Sequence, residues 1–128
     1  MPTFPVVTGD VLTSTIFNGL PAFAVQTAKT ADYTAASGDE YQQLIPMNKA
    51  TAVAFKIPTD ATFAFPTGTV ITVLNIGAGT CTISAVTPGT TTVLSAGTVA
   101  ASPTLAQYKS AACIKTAANA WYIVGGIA

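Results

Sequence analysis

Few residues in this chain could do chemistry. The one adjacent pair of carboxylates is Asp39 and Glu40. Paired acid/base work needs opposed groups about 5 to 9 Å apart with separated pKa values, so beside Gly38 the pair reads as turn decoration. Gly77-Ala78-Gly79 opens like a dinucleotide fingerprint, but Thr82 stands where the third glycine belongs and strand-like sequence follows. It reads as a hairpin turn. Ser110 lacks a Gly-x-Ser-x-Gly elbow, and the chain has no His to act as its base. Without His, Ser-His-Asp and Cys-His catalysis cannot be built, and two Cys do not make a zinc site. The sequence therefore assigns no catalytic, cofactor-binding or metal residues, and the expectation is a non-enzymatic protein.

The remaining reactive or recognition-capable side chains have simpler readings. Cys81 in TCTISAV and Cys113 in AACIKT keep step with Ile83 and Ala111, which suggests buried free thiols. Trp121, Tyr122, Tyr108 and Tyr41 could stack on a sugar, since aromatic faces and Tyr tips suit such ligands. Placing Trp121 in the core is the favoured alternative. The five Lys are singly spaced and read as solvated strand-face charges.

Composition points to what surrounds the chain. Of 128 residues, 50% are hydrophobic and 8% charged, with five Lys balancing four Asp and Glu40 and no Arg. An ordinary soluble domain carries about 25% charged residues. So sparse a charge gives poor protection against association, and the expectation is a subunit that works assembled with other copies. The absence of Arg and of net positive charge argues against nucleic-acid binding and against electrostatic membrane attachment. No 18-residue apolar run is present to span a membrane. Residues 1–23 lack an early basic region and a continuous apolar stretch, so they do not read as a secretory signal.

The elements that would position these residues are strands. The 22 Thr favour a pleated surface, and turn signals recur about every 8 to 12 residues, at Ser37-Gly38-Asp39, Pro58-Thr59-Asp60, Pro66-Thr67-Gly68, Gly77-Ala78-Gly79, Pro88-Gly89, Ala96-Gly97 and Ala118-Asn119. This predicts an all-β fold: one small antiparallel β-sandwich or jelly-roll-like barrel over residues 24–128. Thr51 to Ile57 alternates, with Val53, Phe55 and Ile57 on one face. Thr69 to Ile76 and residues 120–124 are instead apolar on both faces. A strand apolar on both faces needs cover on both, so Val70, Leu74, Ile76 and Tyr122 are candidate subunit-interface residues. Thr13 to Leu20 is predicted as a short helix, with Ile16, Phe17 and Leu20 at helical spacing and Gly19-Pro21 as its stop. With Phe4, Val6 and Val7 ahead of it, residues 1–23 read as an apolar attachment arm that docks on a partner.

From about Tyr33 onward the order of signals resembles a β-domain of tailed-bacteriophage virion surface proteins, among them capsid cement or decoration proteins and tail fibre or spike proteins. The matching pieces are Tyr33-Thr34, Ile57-Pro58, Phe65-Pro66-x-Gly68-Thr69 with Ile71 and Val73, and Gly77-Ala78-Gly79 with Thr82-Ile83. Ser95-Ala96-Gly97, Ser110-Ala111, Ile114-Lys115 and Asn119-x-Trp121 with Gly125 follow. The sequence departs from the pattern at Cys81 and Cys113, which stand where larger apolar residues are usual, and in its Ala-rich stretch 111–120. Upstream, Gly9-Asp10-Val11-Leu12-Thr13 with Asn18 and Leu20 resembles a virion-attachment leader. The resemblance implies a trimeric, non-enzymatic module on a virus particle and leaves open which structure carries it. One small domain with an arm is short for a tail fibre protein, so the expectation is a homotrimer on the capsid surface, made in the host cytoplasm, that binds the major capsid protein through the apolar arm residues Phe4, Val6, Val7, Ile16, Phe17 and Leu20. The alternative within the same family is a tail fibre, neck or receptor-binding adhesion module, with a host-surface glycan as ligand.

Overall fold

A computed structural model describes residues 25–40, 44–95 and 102–127. The arm 1–23 and the helix expected at Thr13 to Leu20 lie outside the described residues, as do Tyr41 and the Ala96-Gly97 turn. The six arm positions Phe4, Val6, Val7, Ile16, Phe17 and Leu20 lie outside them too.

The described residues are all-β, with nine strands and no helix among them. The strands are β1 (Tyr33–Thr34), β2 (Leu44–Met47), β3 (Val53–Ile57), β4 (Val70–Asn75), β5 (Cys81–Ala85), β6 (Thr92–Leu94), β7 (Thr104–Leu105), β8 (Ser110–Ala117) and β9 (Ala120–Gly125). They form two sheets, one ordered β1-β3-β5-β7 and the other β2-β4-β8-β9-β6. Neither is a closed barrel.

The antiparallel expectation is overturned. From β1 to β8 each strand lies in the sheet opposite its predecessor. Three next-but-one pairs thereby become parallel neighbours, β1 with β3, β3 with β5 and β2 with β4, and β6 also pairs parallel with β9. Antiparallel pairing holds for β4 with β8, β5 with β7, and β8 with β9. The last is the single true hairpin among them, since β8 and β9 are consecutive. Turn spacing could not reveal this, because a turn that returns the chain within a sheet and one that crosses to the other sheet have similar lengths and compositions.

Gly77-Ala78-Gly79 is such a crossing, between β4 and β5 in different sheets, and not the hairpin its composition suggested. The Asn75 side chain holds it. Nδ2 donates to the carbonyls of Gly79 (2.8 Å) and Leu105 (2.9 Å), while Oδ1 accepts from the Gly77 N–H. All this satisfies a buried amide on a face otherwise filled by Ile71 and Val73. Gly79 is required for space: a Cβ there would fall 1.9 Å from the Thr51 carbonyl oxygen. Because the obstacle is backbone, Gly79→Ala is expected to destabilise at the upper end of the about 1–3 kcal/mol of an overpacked site. Urea unfolding of the variant checks this.

One hydrophobic cluster takes residues from both sheets. Val53, Phe55, Ile57, Cys81, Ile83 and Leu105 come from the four-stranded sheet. Ile45, Met47, Ile71, Val73, Val93, Cys113, Trp121 and Ile123 come from the five-stranded one. The alternation read for β3 holds, with Val53, Phe55 and Ile57 all buried. Trp121 is core, packed edge-on to Phe65 with centroids 5.7 Å apart. Its Nε1 has no hydrogen-bond partner among the described residues, so the ring is there for packing.

Cys81 and Cys113 are buried and unbonded. Burial pushes the Cys81 thiol up to about 11 from 9.0, with the Asp32 carboxylate adding to the rise. Cys113 is raised by burial and by Cys81 nearby, and Tyr33 by burial and by its hydrogen bond to Asp39. All three groups hold their protons more tightly folded than unfolded. The Cys81 contribution is therefore complete below about pH 9 and is lost as pH rises through about 11, and those of Cys113 and Tyr33 are lost at still higher pH. Urea midpoints should be level from pH 7 to 8.5 and fall between pH 9 and 11.

Candidate functional site

The groups singled out for chemistry are occupied in holding turns together. Asp39 is buried and accepts hydrogen bonds from Tyr33 Oη (2.8 Å), Gln26 Nε2 (2.6 Å) and the Ala36 N–H (2.8 Å). Glu40 accepts from the Gly38 N–H, and Asp32 from the Ala54 N–H. Asp60 bonds Lys115 at 2.9 Å. No group of three or more His, Cys, Asp or Glu that could hold a metal occurs among the described residues. Of the four aromatics weighed as a platform, Trp121 is buried, Tyr122 lies on β9 and Tyr108 stands between β7 and β8, while Tyr41 lies outside the described residues.

Lys115 is the residue that sequence reasoning misplaced. It is 3% exposed and shares the inward face of β8 with Ala111 and Cys113. Its Nζ donates to Asp60 Oδ1 (2.9 Å) and to the Phe65 carbonyl (2.6 Å). Asp60 Oδ2 in turn accepts from the Asn119 N–H, and the Asp60 N–H donates to Asn119 Oδ1. This network ties the loop after β3 to the β8–β9 hairpin.

With Lys115 turned inward, the outer face of the five-stranded sheet carries no charged side chain in any of its strands. Strand register arranges this face in rows. Val70, Ile114, Tyr122 and Leu94 lie side by side across β4, β8, β9 and β6. Leu44, Thr72, Ala112 and Val124 form the next row, and Pro46, Leu74 and Ser110 the one after. Tyr122 is 45% exposed and Val124 49%. The opposite sheet contrasts with it, turning Ala54, Lys56, Thr82, Ser84 and Thr104 outward. That is an ordinary polar sheet surface.

Of the four expected interface residues, Val70 and Tyr122 share one row, Leu74 lies on the same face two rows away, and Ile76 is half-buried just beyond β4. Sequence reasoning missed Ile114, Val124 and Leu94. The phase of Ala111 and Cys113 in the sequence already placed Ile114 outward. With strands about 4.8 Å apart and a rise of about 3.4 Å per residue, the face measures roughly 20 by 20 Å. The largest apolar patch on a monomer is commonly about 300–600 Å2 and is often functional.

The chain matches no family model, no curated protein and no solved structure.

Proposed function

We propose that the chain is a structural subunit of a virus particle, a capsid cement or decoration protein that acts as a homotrimer through binding energy alone. In this reading the two sheets are the halves of a small β-sandwich. Three copies meet through the outer face of the five-stranded sheet. Residues 1–23 attach the assembly to the major capsid protein and so stabilise contacts between capsid subunits, on the virion surface, after synthesis in the host cytoplasm. The observation that carries the reading is the charge-free outer sheet face beside a polar one, in a chain with ten charged side chains in all. The ordered motif resemblance from Tyr33 to Gly125 supports the viral assignment. Burying one leucine-sized side chain contributes about 1.5–3 kcal/mol, so Phe4, Val6, Val7, Ile16, Phe17 and Leu20 together could supply most of the attachment.

The second reading is a tail fibre, neck or receptor-binding adhesion module, favoured by the exposed aromatic ring of Tyr108. The copy number per purified particle separates the two. Near one copy per major capsid subunit supports the cement, whereas a few to a few tens supports the tail or fibre. Absence from particles rejects both.

A further inference from the structure

Tyr108 is out of place by every internal criterion. Five described residues adopt left-handed backbone: Gly38, Gly68, Gly125, Asn119 and Tyr108. The glycines meet no Cβ penalty, and Asn tolerates this region. Asn119 also uses its side chain to bond Asp60. Tyr108, at φ 65°, has neither excuse. Its side chain is 76% exposed, so packing within the chain does not retain it. Yet its backbone is held firmly. The Tyr108 N–H donates to the Asn75 carbonyl at 2.6 Å, and the Asn75 N–H donates to the Lys109 carbonyl at 3.0 Å. Gln107 Nε2 donates to the Ile76 carbonyl. A bulky residue held in a costly conformation, with its ring in solvent, points to a contact outside the chain.

The surroundings indicate what kind. Three segments meet at this end: 48–52, 76–80 and 106–110, joined by the Gly77 N–H to Met47, Gly79 N–H to Lys49 and Tyr108 N–H to Asn75 bonds. Their charged residues are Lys49 and Lys109, with no acidic side chain. Tyr108 is the one large apolar residue fully exposed in these segments; beside the two lysines and the half-buried Ile76, the rest are amides, hydroxyls, Ala and Gly. A protein partner would need about 800 Å2 with an apolar centre, which one ring on a polar tip does not provide. A flat ring, two ammonium groups and neighbouring amides do fit a polar, planar, negatively charged ligand of small footprint.

We propose that the Tyr108 loop end binds an acidic saccharide, with the sugar ring stacked on Tyr108 and its carboxylate facing Lys49 and Lys109. The site lies on a different surface from the apolar sheet face. It deepens the adhesion reading, and in an assembly several copies would bind one polymer with gain from avidity.

The test is retention of the full chain on immobilised polygalacturonate, with polyglutamate as an acidic polymer without sugar rings and dextran as a neutral one. Retention is expected on polygalacturonate, at least tenfold stronger than on the other two and reduced by salt. Tyr108→Asn should weaken it at least tenfold while leaving Tm unchanged or slightly higher, since Asn relieves the backbone. The Lys49→Ala/Lys109→Ala pair should weaken it similarly. Equal retention on polyglutamate, retention that survives Tyr108→Asn, or no retention at low salt would each overturn the proposal. Tyr122→Lys should leave retention of the isolated chain intact, so failure of the sheet-face assembly and failure of this site are distinguishable.

Discussion

Asp60→Ala is expected to destabilise the fold by about 3–5 kcal/mol, a large fraction of the roughly 5–15 kcal/mol by which such a domain is stable. The cause is the group left behind. Lys115 Nζ lies in the interior with Asp60 and the Phe65 carbonyl as its partners. Removing the carboxylate leaves a buried ammonium with the Phe65 carbonyl as its remaining partner, and the loss also frees the Asn119 N–H. Lys115→Met should cost much less, about 1–2 kcal/mol. It removes the buried charge itself and leaves Asp60, 22% exposed, with solvent and Asn119 for partners. Urea midpoints of the two variants measure this asymmetry. If Lys115→Met were the more damaging, the pair would not be the buried-charge compensation described here.

Ile114→Lys on the outer sheet face is expected to abolish self-association while leaving the protomer folded. Ile114 sits in the row Val70, Ile114, Tyr122, Leu94, in a strand flanked on both sides by others. In a protomer, a lysine there reaches solvent past its neighbours, so stability should change by no more than about 0.5 kcal/mol. Between copies, the ammonium would be desolvated against apolar side chains with no carboxylate in any strand of the face. The expected loss is at least about 100-fold in the association constant, equivalent to about 2.7 kcal/mol. Tyr122→Lys should behave alike. Ser84→Lys, on the polar face of the other sheet, is the control that should leave association unchanged. Equal effects at Ser84 and Ile114 would show that added charge in general, and not this face, matters.

How much of this was legible beforehand depended on the range of the interaction. The period-two alternation of β3, the doubly apolar character of β4 and β9, and the inward phase of both cysteines are local properties of the chain, and sequence alone displayed them. The parallel pairing was not legible, because whether a turn such as Gly77-Ala78-Gly79 crosses between sheets is set by distant backbone. Here that means Lys49 and Thr51 packed against the glycines, and the Leu105 carbonyl bonded by Asn75. Lys115 failed for the same reason: its partner Asp60 is 55 positions away, and without that partner a lone lysine on a strand reads as solvated. Tyr108 was noticed as an aromatic, but its left-handed backbone is a property of the loop clamped to β4, invisible in composition.

Sedimentation equilibrium of the full chain at micromolar concentration tests the central claim most directly. The expected result is a species of three times the 12.9 kDa protomer mass that Ile114→Lys converts to a folded monomer. A wild-type chain that remains monomeric up to about 100 μM, a range in which an interface worth about 5.5–8 kcal/mol would be populated, would contradict the assignment of the outer sheet face to contact between copies.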